Sequence, residues 1–323
     1  MARQAAKVLP AEIRHERPTL LETLNDMRAD MAPLVTAVVH PVDDVSLEGA
    51  YEAAKQGILK PLLVGPEDKI RAAAAALSIP LDWAEIVPVK HSEAAAEEAV
   101  ALCKTGKAEA LMKGKIHTDE FMHPIVQKNG LRTGSRMSHV VVLDVPNYHK
   151  LLYLTDVALN IKPDLSMKVH IVQNAINLFT ALNGCAPKVA ILSAVEMVDE
   201  KIPSTLDATA LCKMSERGQI TGGILDGPLA LDNAISKEAA EVKGINSAVA
   251  GDADILVAPD LESGNILFKQ MCYLFKVAGA AVVMGARVPI ILTSRAGTPA
   301  TRAVSAALAQ VYARKKAEVL PIV

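Results

Sequence analysis

The sequence predicts an α/β fold, with a mainly parallel sheet covered by helices and folded into two lobes around a cleft. Three observations lead there. Strand-length apolar runs alternate with Ala-rich helical stretches from residue 20 onward, the pattern of βαβ units. The core must be aliphatic, because 51% of residues are hydrophobic and only 3% aromatic, as expected where helices sandwich parallel strands. The 323 residues are enough for two domains of ordinary size, or for one two-lobed unit.

The elements follow in order. A helix starts at Leu20, a strand covers 36–40, and a helix over 48–56 is ended by Gly57. Strand 61–65, helix 68–77, strand 85–89, helix 92–104 and strand 110–114 continue the rhythm. Runs 140–144 and 150–155, separated by the five residues Val145 to His149, read as a hairpin instead of a crossover. That change of style marks a second lobe, continued by helix 167–182, strand 189–194, helix 204–217, the Gly-rich run 222–227, strand 255–258 and the apolar segment 277–285. Strand 288–294 and helix 300–316 close the chain.

Charge narrows the choice of partner. With 34 basic and 36 acidic side chains and a net charge of −2, neither a nucleic-acid footprint nor a polybasic membrane surface is written into the chain. The expected partner is a small molecule. The four cysteines are widely spaced with no Cys-x-x-Cys, so reduced thiols are expected and not a zinc site or disulfide framework. No apolar run reaches the ~18 residues of a membrane span, and the N-terminus lacks a signal-peptide core, which together predict a soluble cytoplasmic protein.

The most informative stretch is VAGDADILVAPDLESGN (249–265), where an apolar strand stops at Pro259 and Asp260 and opens into polar residues. Strand ends of this kind are where α/β proteins hold ligands. Upstream lies DGPLALDNA (226–234), and downstream a strand ends in Ser294 and Arg295. With LMKGKIHTDEF (111–121), GLRTGSRMSHV (130–140) and LTDVALNIKPD (154–164), these blocks resemble, in order and over roughly residues 30–320, the phosphate acetyltransferase and phosphate butyryltransferase family. The resemblance implies an isocitrate/isopropylmalate dehydrogenase-like two-lobed fold in which strand 288–294 and helix 300–316 return to the first lobe, so the expected division is an arm over 1–18, a first lobe over 19–135 plus 286–323, and a second over 136–285. It also implies transfer of a short-chain acyl group between coenzyme A and inorganic phosphate, with coenzyme A as substrate, no bound cofactor or metal, and a homodimer.

Such a reaction needs a thiolate leaving group, positive charge for phosphate and the tetrahedral oxyanion, and juxtaposition of both substrates. Arg295 follows a buried aliphatic strand, and its planar fork suits phosphate. The resemblance assigns it phosphate binding and charge stabilisation, with Ser294 bonding the thiol or oxyanion. Lys113 and Thr118 flank a loop able to present donors to phosphate. Arg132, Arg136 and Ser138 crowd a Gly-containing run suited to binding the phosphate or coenzyme A anion in a loop. Asn265 and Lys269 are expected at a helix start, near an anion. Asp156, with Asn160, and Asp226 and Asp232 are read as carboxylates at loop junctions that cap helices and shape the cleft, one of them a possible general base. His117 and His139 lack metal-ligand spacing and read as packing residues.

One departure from the family pattern stands out. Its acetyl-specific members carry an acid shortly after the Ser-Arg pair, whereas here that position falls at about Thr301 and no Asp or Glu occurs between Arg295 and Glu318. A base from elsewhere, or a thiolate stabilised by cations, must then suffice. Two alternatives follow: a metal- and nicotinamide-dependent dehydrogenase of the same fold, holding a cation on Asp226 and Asp232 or on Asp252 and Asp254, or a non-catalytic coenzyme A binder. Neither the basic partners of such a dehydrogenase nor a Gly-x-Gly-x-x-Gly fingerprint is present.

Overall fold

A computed structural model describes residues 17–293 and 298–316. The N-terminal half alternates strands and helices: α1 (Leu20–Arg28), β1 (Leu34–Val39), α2 (Asp44–Lys55), β2 (Leu59–Gly65), α3 (Glu67–Ala76), β3 (Glu85–Pro88), α4 (Ser92–Lys104), β4 (Ala110–Lys113) and α5 (Thr118–Val126). Local chemistry sets the boundaries. Thr19 and Glu22 form a reciprocal capping box at α1, satisfying two donors the helix leaves open. Asp43 caps α2 by accepting from Ser46 N at 2.9 Å, so this helix starts four residues earlier than the apolar pattern predicts. The sequence pattern did not reveal α5, whose interior Pro124 is a helix-breaking signal.

The remainder comprises β5 (Ser138–Asp144), β6 (Leu152–Thr155), α6 (Leu165–Asn183), β7 (Lys188–Leu192), α7 (Pro203–Glu216), β8 (Ile224–Leu229), α8 (Leu231–Ile235), α9 (Lys237–Val242), β9 (Ile255–Val257), α10 (Leu261–Lys269), a π-helical turn (Gln270–Leu274), β10 (Ala278–Met284), β11 (Ile290–Ile291) and α11 (Pro299–Lys315). The expected hairpin is present, with β5 and β6 antiparallel and Val140 opposite Thr155. The closing strand is much shorter than the apolar run 288–294 predicts, because only Ile290 and Ile291 pair with β4 and Ile290 alone also pairs with β10.

One sheet results, in the order β3-β2-β1-β4-β11-β10-β5-β6-β9-β7-β8. The strands β3, β2, β1, β4 and β11 are mutually parallel, as are β6, β9, β7 and β8. Between the blocks, β10 is antiparallel to both β11 and β5, so the second block runs opposite to the first. Register decides what this does to the strand ends. Val283 lies opposite both His139 and Ile290, Ile290 opposite Leu111, and Val140 opposite Thr155. The blocks therefore overlap close to their carboxyl ends, which brings the ends of β4, β11 and β6 onto nearly one line across the middle of the sheet.

Aliphatic layers hold this arrangement. One core cluster joins α1, α2, α11 and α6 to the sheet through residues such as Leu24, Leu47, Leu308 and Ile176. A second packs α4 and α5 on the first block through Ala99, Phe121 and Ile125, and a third covers the second block with Val249, Ala234 and Leu256. No helix among the described residues is long and apolar enough to cross a membrane, and all four cysteines are free.

Candidate active site

The line of strand ends begins at Lys113, the last residue of β4, which is only 2% exposed. Its carbonyl accepts from Arg302 Nη1 at 2.8 Å. The chain then turns at Gly114, where an added Cβ would lie 2.3 Å from the Val39 carbonyl oxygen, so only glycine lets β4 run this close to the end of β1. On the neighbouring strand the Leu292 carbonyl accepts from His139 Nε2 at 3.0 Å. A carbonyl can only accept, so Nε2 carries the proton and Nδ1 presents its lone pair. That Nδ1 is buried and has no hydrogen-bond partner. Burial pushes the His139 pKa down, against the pull of Asp156 and the Leu292 carbonyl, and the ring is neutral at physiological pH.

Asp156 closes the line from the other block. Its Oδ1 accepts from the backbone N–H groups of His139, Ala158 and Leu159 at 3.2, 3.0 and 3.2 Å, and its Oδ2 from Asn160 N at 3.1 Å and from Asn160 Nδ2. Asn160 Nδ2 also reaches the Met137 carbonyl at 2.9 Å. The Asp156 carboxylate thus spends its acceptor capacity on the turn after β6 and on the start of β5. Helix α10 comes in against this turn: a Cβ on Gly264 would sit 2.3 Å from the Asp156 carbonyl oxygen, and Asn265 Nδ2 donates to the Val157 carbonyl at 2.8 Å.

The other predicted residues divide between this line and more distant places. Ser294 and Arg295 lie outside the described residues, and the strand leading to them ends in this line. Thr118 is the first residue of α5, directly after the loop that follows Lys113. Arg132 and Arg136 are exposed on a loop tied to the β10–β11 connection by Thr133 Oγ1 donating to the Gly285 carbonyl at 2.7 Å. Ser138 is fully buried, its hydroxyl accepting from Asn174 Nδ2 at 2.9 Å.

Two expectations need correction. Asn265 and Lys269 are not at a helix start: α10 is capped by Asp260, which accepts from Ser263 N at 2.9 Å, so Asn265 falls mid-helix and Lys269 is its last residue, at the end whose partial negative charge attracts cations and repels anions. Asp226 and Asp232 cap no helix. Asp226 sits within the edge strand β8 and bonds the next N–H, that of Gly227, at 2.8 Å. Asp232 lies inside α8, where it and Glu196 pair with Lys243. With β9 and β7 intervening, β8 is three strand spacings from β6, about 14 Å.

The Asp252 and Asp254 pair also has another use. Lys150 bridges both carboxylates at 2.9 and 2.7 Å, and Lys188 and His149 bond Asp252. These residues stitch together the amino ends of β6, β7 and β9, the edge away from the strand-end line.

Sequence reasoning missed Arg302. It is 2% exposed and on the buried face of α11 with Ala306 and Ala309, and an added Cβ on Gly49 would lie 2.7 Å from its Cδ. Burial lowers its pKa against the field of Asp43. The signal was there in the sequence: an arginine in register, at i, i+4 and i+7, with an alanine stripe. Thr301 occupies the first turn of α11, where its N–H is accepted by the capping Thr298 hydroxyl at 3.2 Å.

An α/β protein whose two parallel blocks bring their carboxyl ends to one line, with a buried lysine, a neutral histidine and a saturated aspartate along it, is built to hold ligands at that line. The family model for phosphate acetyl/butaryl transferase matches residues 92–310, a span that includes every described member of the line. The phosphate acetyltransferase of Rhizobium meliloti is 57% identical over 286 residues, covering 88% of this chain and 90% of that protein. The phosphate butyryltransferase of Clostridium acetobutylicum is 43% identical over 281 residues, covering 87% and 93%. Among solved structures, a branched-chain phosphotransacylase from Enterococcus faecalis V583 superposes with a TM-score of 0.76 at 29% identity, covering 87% of this chain and all of that one. For the fold alone, 4-hydroxythreonine-4-phosphate dehydrogenase from Klebsiella pneumoniae gives 0.54 at 12% identity, covering 87% of this chain and 100% of that one. This chain is an enzyme of the phosphate acetyl/butaryl transferase family.

Proposed function

We infer that the protein transfers a short-chain acyl group between coenzyme A and inorganic phosphate. The observation that carries this is the family match across the strand-end line. In one direction a phosphate oxygen attacks the thioester carbonyl, the C–S bond breaks as the C–O bond forms, and the electron pair leaves on the coenzyme A sulfur. The phosphate proton passes to that thiolate or to solvent. A thiol of pKa ~8.5 is a tolerable leaving group at neutral pH, which accommodates Thr301 where the family's acid would stand.

Within this reading Arg295 holds phosphate and the developing oxyanion, Ser294 bonds the oxyanion or sulfur, and Lys113, Thr118, Arg132 and Arg136 supply further charge and donors. Asp156, Asn160, Ser138 and Asn265 shape the walls. Attack is direct, with no acyl-cysteine. Burial pushes the Cys103 and Cys212 thiols up to about 12 and raises that of Cys272, and Cys185 lies at the amino end of β7. The residues assigned to catalysis call for no metal.

We assign the two lobes as 19–135 with 286–323, and 136–285, in the manner of isocitrate and isopropylmalate dehydrogenases, with an arm over 1–18. The narrowing of the ladder to one registered pair at β10 and β11 favours this division. Ile266, Tyr273, Leu274 and Phe275, exposed around the π-helical turn, form an apolar patch through which a homodimer would pair the second lobes. Free cysteines and balanced charge fit a cytoplasmic enzyme. One methylene is worth only ~1–3 kcal/mol in an apolar pocket, so acetyl, propionyl and butyryl groups compete on modest differences.

The test is phosphate-dependent release of free thiol from acetyl-, propionyl- and butyryl-coenzyme A with a chelator present. Turnover ranks the substrates. A folded protein that binds coenzyme A without turnover would overturn the catalytic reading, and activity restored only by added metal would overturn direct attack.

A further inference from the structure

The stretch between α5 and β5 carries two exposed arginines, Arg132 and Arg136, on irregular backbone. It is nonetheless closely held. The Leu131 carbonyl accepts from Arg287 N at 2.9 Å, Arg132 forms an antiparallel bridge with Ala286, and Thr133 Oγ1, besides donating to the Gly285 carbonyl, accepts from Ser135 N at 3.1 Å. These bonds lay the loop along the β10–β11 connection.

The grip is tightest at residue 136. From α6, Asn174 donates through Nδ2 to the Arg136 carbonyl at 2.8 Å and to the Ser138 hydroxyl at 2.9 Å, while its Oδ1 accepts from the Ser135 hydroxyl at 3.1 Å. A carbonyl only accepts, so the contact with Arg136 fixes the orientation of the amide. Gly285 packs on the same carbonyl: its φ is 87°, and an added Cβ would lie 2.5 Å from the Arg136 oxygen. The next carbonyl, that of Met137, is taken from the opposite side by Asn160 Nδ2. Two asparagines from separate elements thus hold consecutive peptides, and with them the direction in which the Arg136 side chain leaves the backbone. Packing alone does not call for an amide at 174. Its neighbours one turn away on α6, Ile171 and Leu178, are core aliphatics, Asn174 itself is 3% exposed, and a buried amide costs free energy unless its bonds are made.

We propose that Asn174 is a positioning residue for anion recognition, fixing the Arg136 peptide so that the guanidinium is aimed at a phosphate group of the substrates, either inorganic phosphate or a phosphate of coenzyme A. The proposal rests on the acyltransferase reading above and gives a role to a helix residue that lies outside all the sequence blocks. Position supports it. Val140 lies opposite Thr155 in an antiparallel pair, so residues 136 and 137 lie level with the turn that follows β6, on the strand-end line. The charge of Arg136 is also felt there: the Met167 N–H and the Ser166 hydroxyl hold the Asp164 carboxyl, the cap of α6, below its usual range, and the Arg136 guanidinium adds to them. A guanidinium pairs two phosphate oxygens through a planar fork, and a fork already held in direction binds without the cost of ordering it.

The test is a double-mutant cycle of Asn174→Ala with Arg136→Ala, read as KM for phosphate and KM for butyryl-coenzyme A in thiol release, with a thermal melt of each variant. A merely structural amide and a positioning amide both lower the melting temperature, but only the second couples to Arg136. Arg136→Ala raises KM for one of the two substrates, which identifies the phosphate group it holds. Asn174→Ala raises the same KM about fivefold, the scale of one net hydrogen bond, and raises it no further when Arg136 is already alanine. Thr133→Val, at an exposed position, removes the bond to the Gly285 carbonyl and shows the same coupling on a smaller scale, which decides the matter if Asn174→Ala does not fold. The proposal is overturned if these variants raise KM equally with and without Arg136, if they lower the melting temperature and leave KM unchanged, or if Arg136→Ala alters neither KM. If the unaltered protein releases no thiol, the activity reading fails, and the same cycle is read from calorimetric titrations with inorganic phosphate and with coenzyme A, where affinities independent of Arg136 overturn the proposal as well.

Discussion

Replacing Asp156 by Asn separates a structural carboxylate from a catalytic base. The side chain is 3% exposed and accepts five hydrogen bonds, three at Oδ1 and two at Oδ2. Asn can keep the three at Oδ1, but its amide nitrogen then faces the Asn160 N–H and the Asn160 amide, donor against donor. Two donors lose their acceptor, at about 1–3 kcal/mol each. A net loss of about 2–5 kcal/mol is expected, a large part of the stability of an ordinary domain, and Tm should fall by roughly 5–10 °C. Urea unfolding and a thermal melt of the variant measure this beside thiol release. A variant as stable as the parent, with kcat reduced a thousandfold and KM unchanged, would refute the reasoning and restore Asp156 as the base.

The remaining predictions concern other parts of the line and its supports. Arg295→Ala should lower kcat by about a hundredfold to a thousandfold, the usual cost of one preorganised charge-stabilising group, while the melt is unchanged; retained activity would remove Arg295 from the chemistry. Gly49→Ala should cost about 1–3 kcal/mol by overpacking, because its Cβ would lie 2.7 Å from Arg302 Cδ, and Gly49→Ala with Arg302→Met should recover part of that loss in denaturant titrations. At Asp252, desolvation raises the pKa, but hydrogen bonds from Lys188, Lys150 and His149 outweigh it and hold the carboxyl below its usual range. A depressed folded pKa stabilises above the unfolded value of ~3.9 and loses that contribution as pH falls through the folded pKa. The stability gap between the parent and Asp252→Asn should therefore be constant from neutral pH down to about pH 5 and close only in stronger acid, and a gap that widens on acidification would contradict the pairing.

Much of the fold could be read from the chain because its causes are local. The alternation of strands and helices over 36–114 follows from apolar periodicity, and α4 (Ser92–Lys104) falls where the pattern places it. Where a cap outweighs periodicity the ends shift, as at Asp43, and where a Pro interrupts a helix the element escapes notice, as with α5. The site was legible as a set of strand-end motifs. Lys113, Asp156 and the glycine of the 259–265 block do converge, whereas Asp226 and Lys269 carry the same kinds of side chain and go elsewhere, because residue type does not encode distance across a sheet.

By itself the sequence determined the α/β class, the aliphatic core, the family and the polar residues that end each strand, since composition, periodicity and motif order are properties of the chain taken in line. Tertiary structure alone decided that two oppositely running blocks overlap at their carboxyl ends. It thereby spent the acceptors of Asp156 on the turn it begins and buried Arg302 against Gly49 and Lys113. Those outcomes depend on register and strand order, which hydrogen bonds between residues far apart in sequence impose and no local pattern contains.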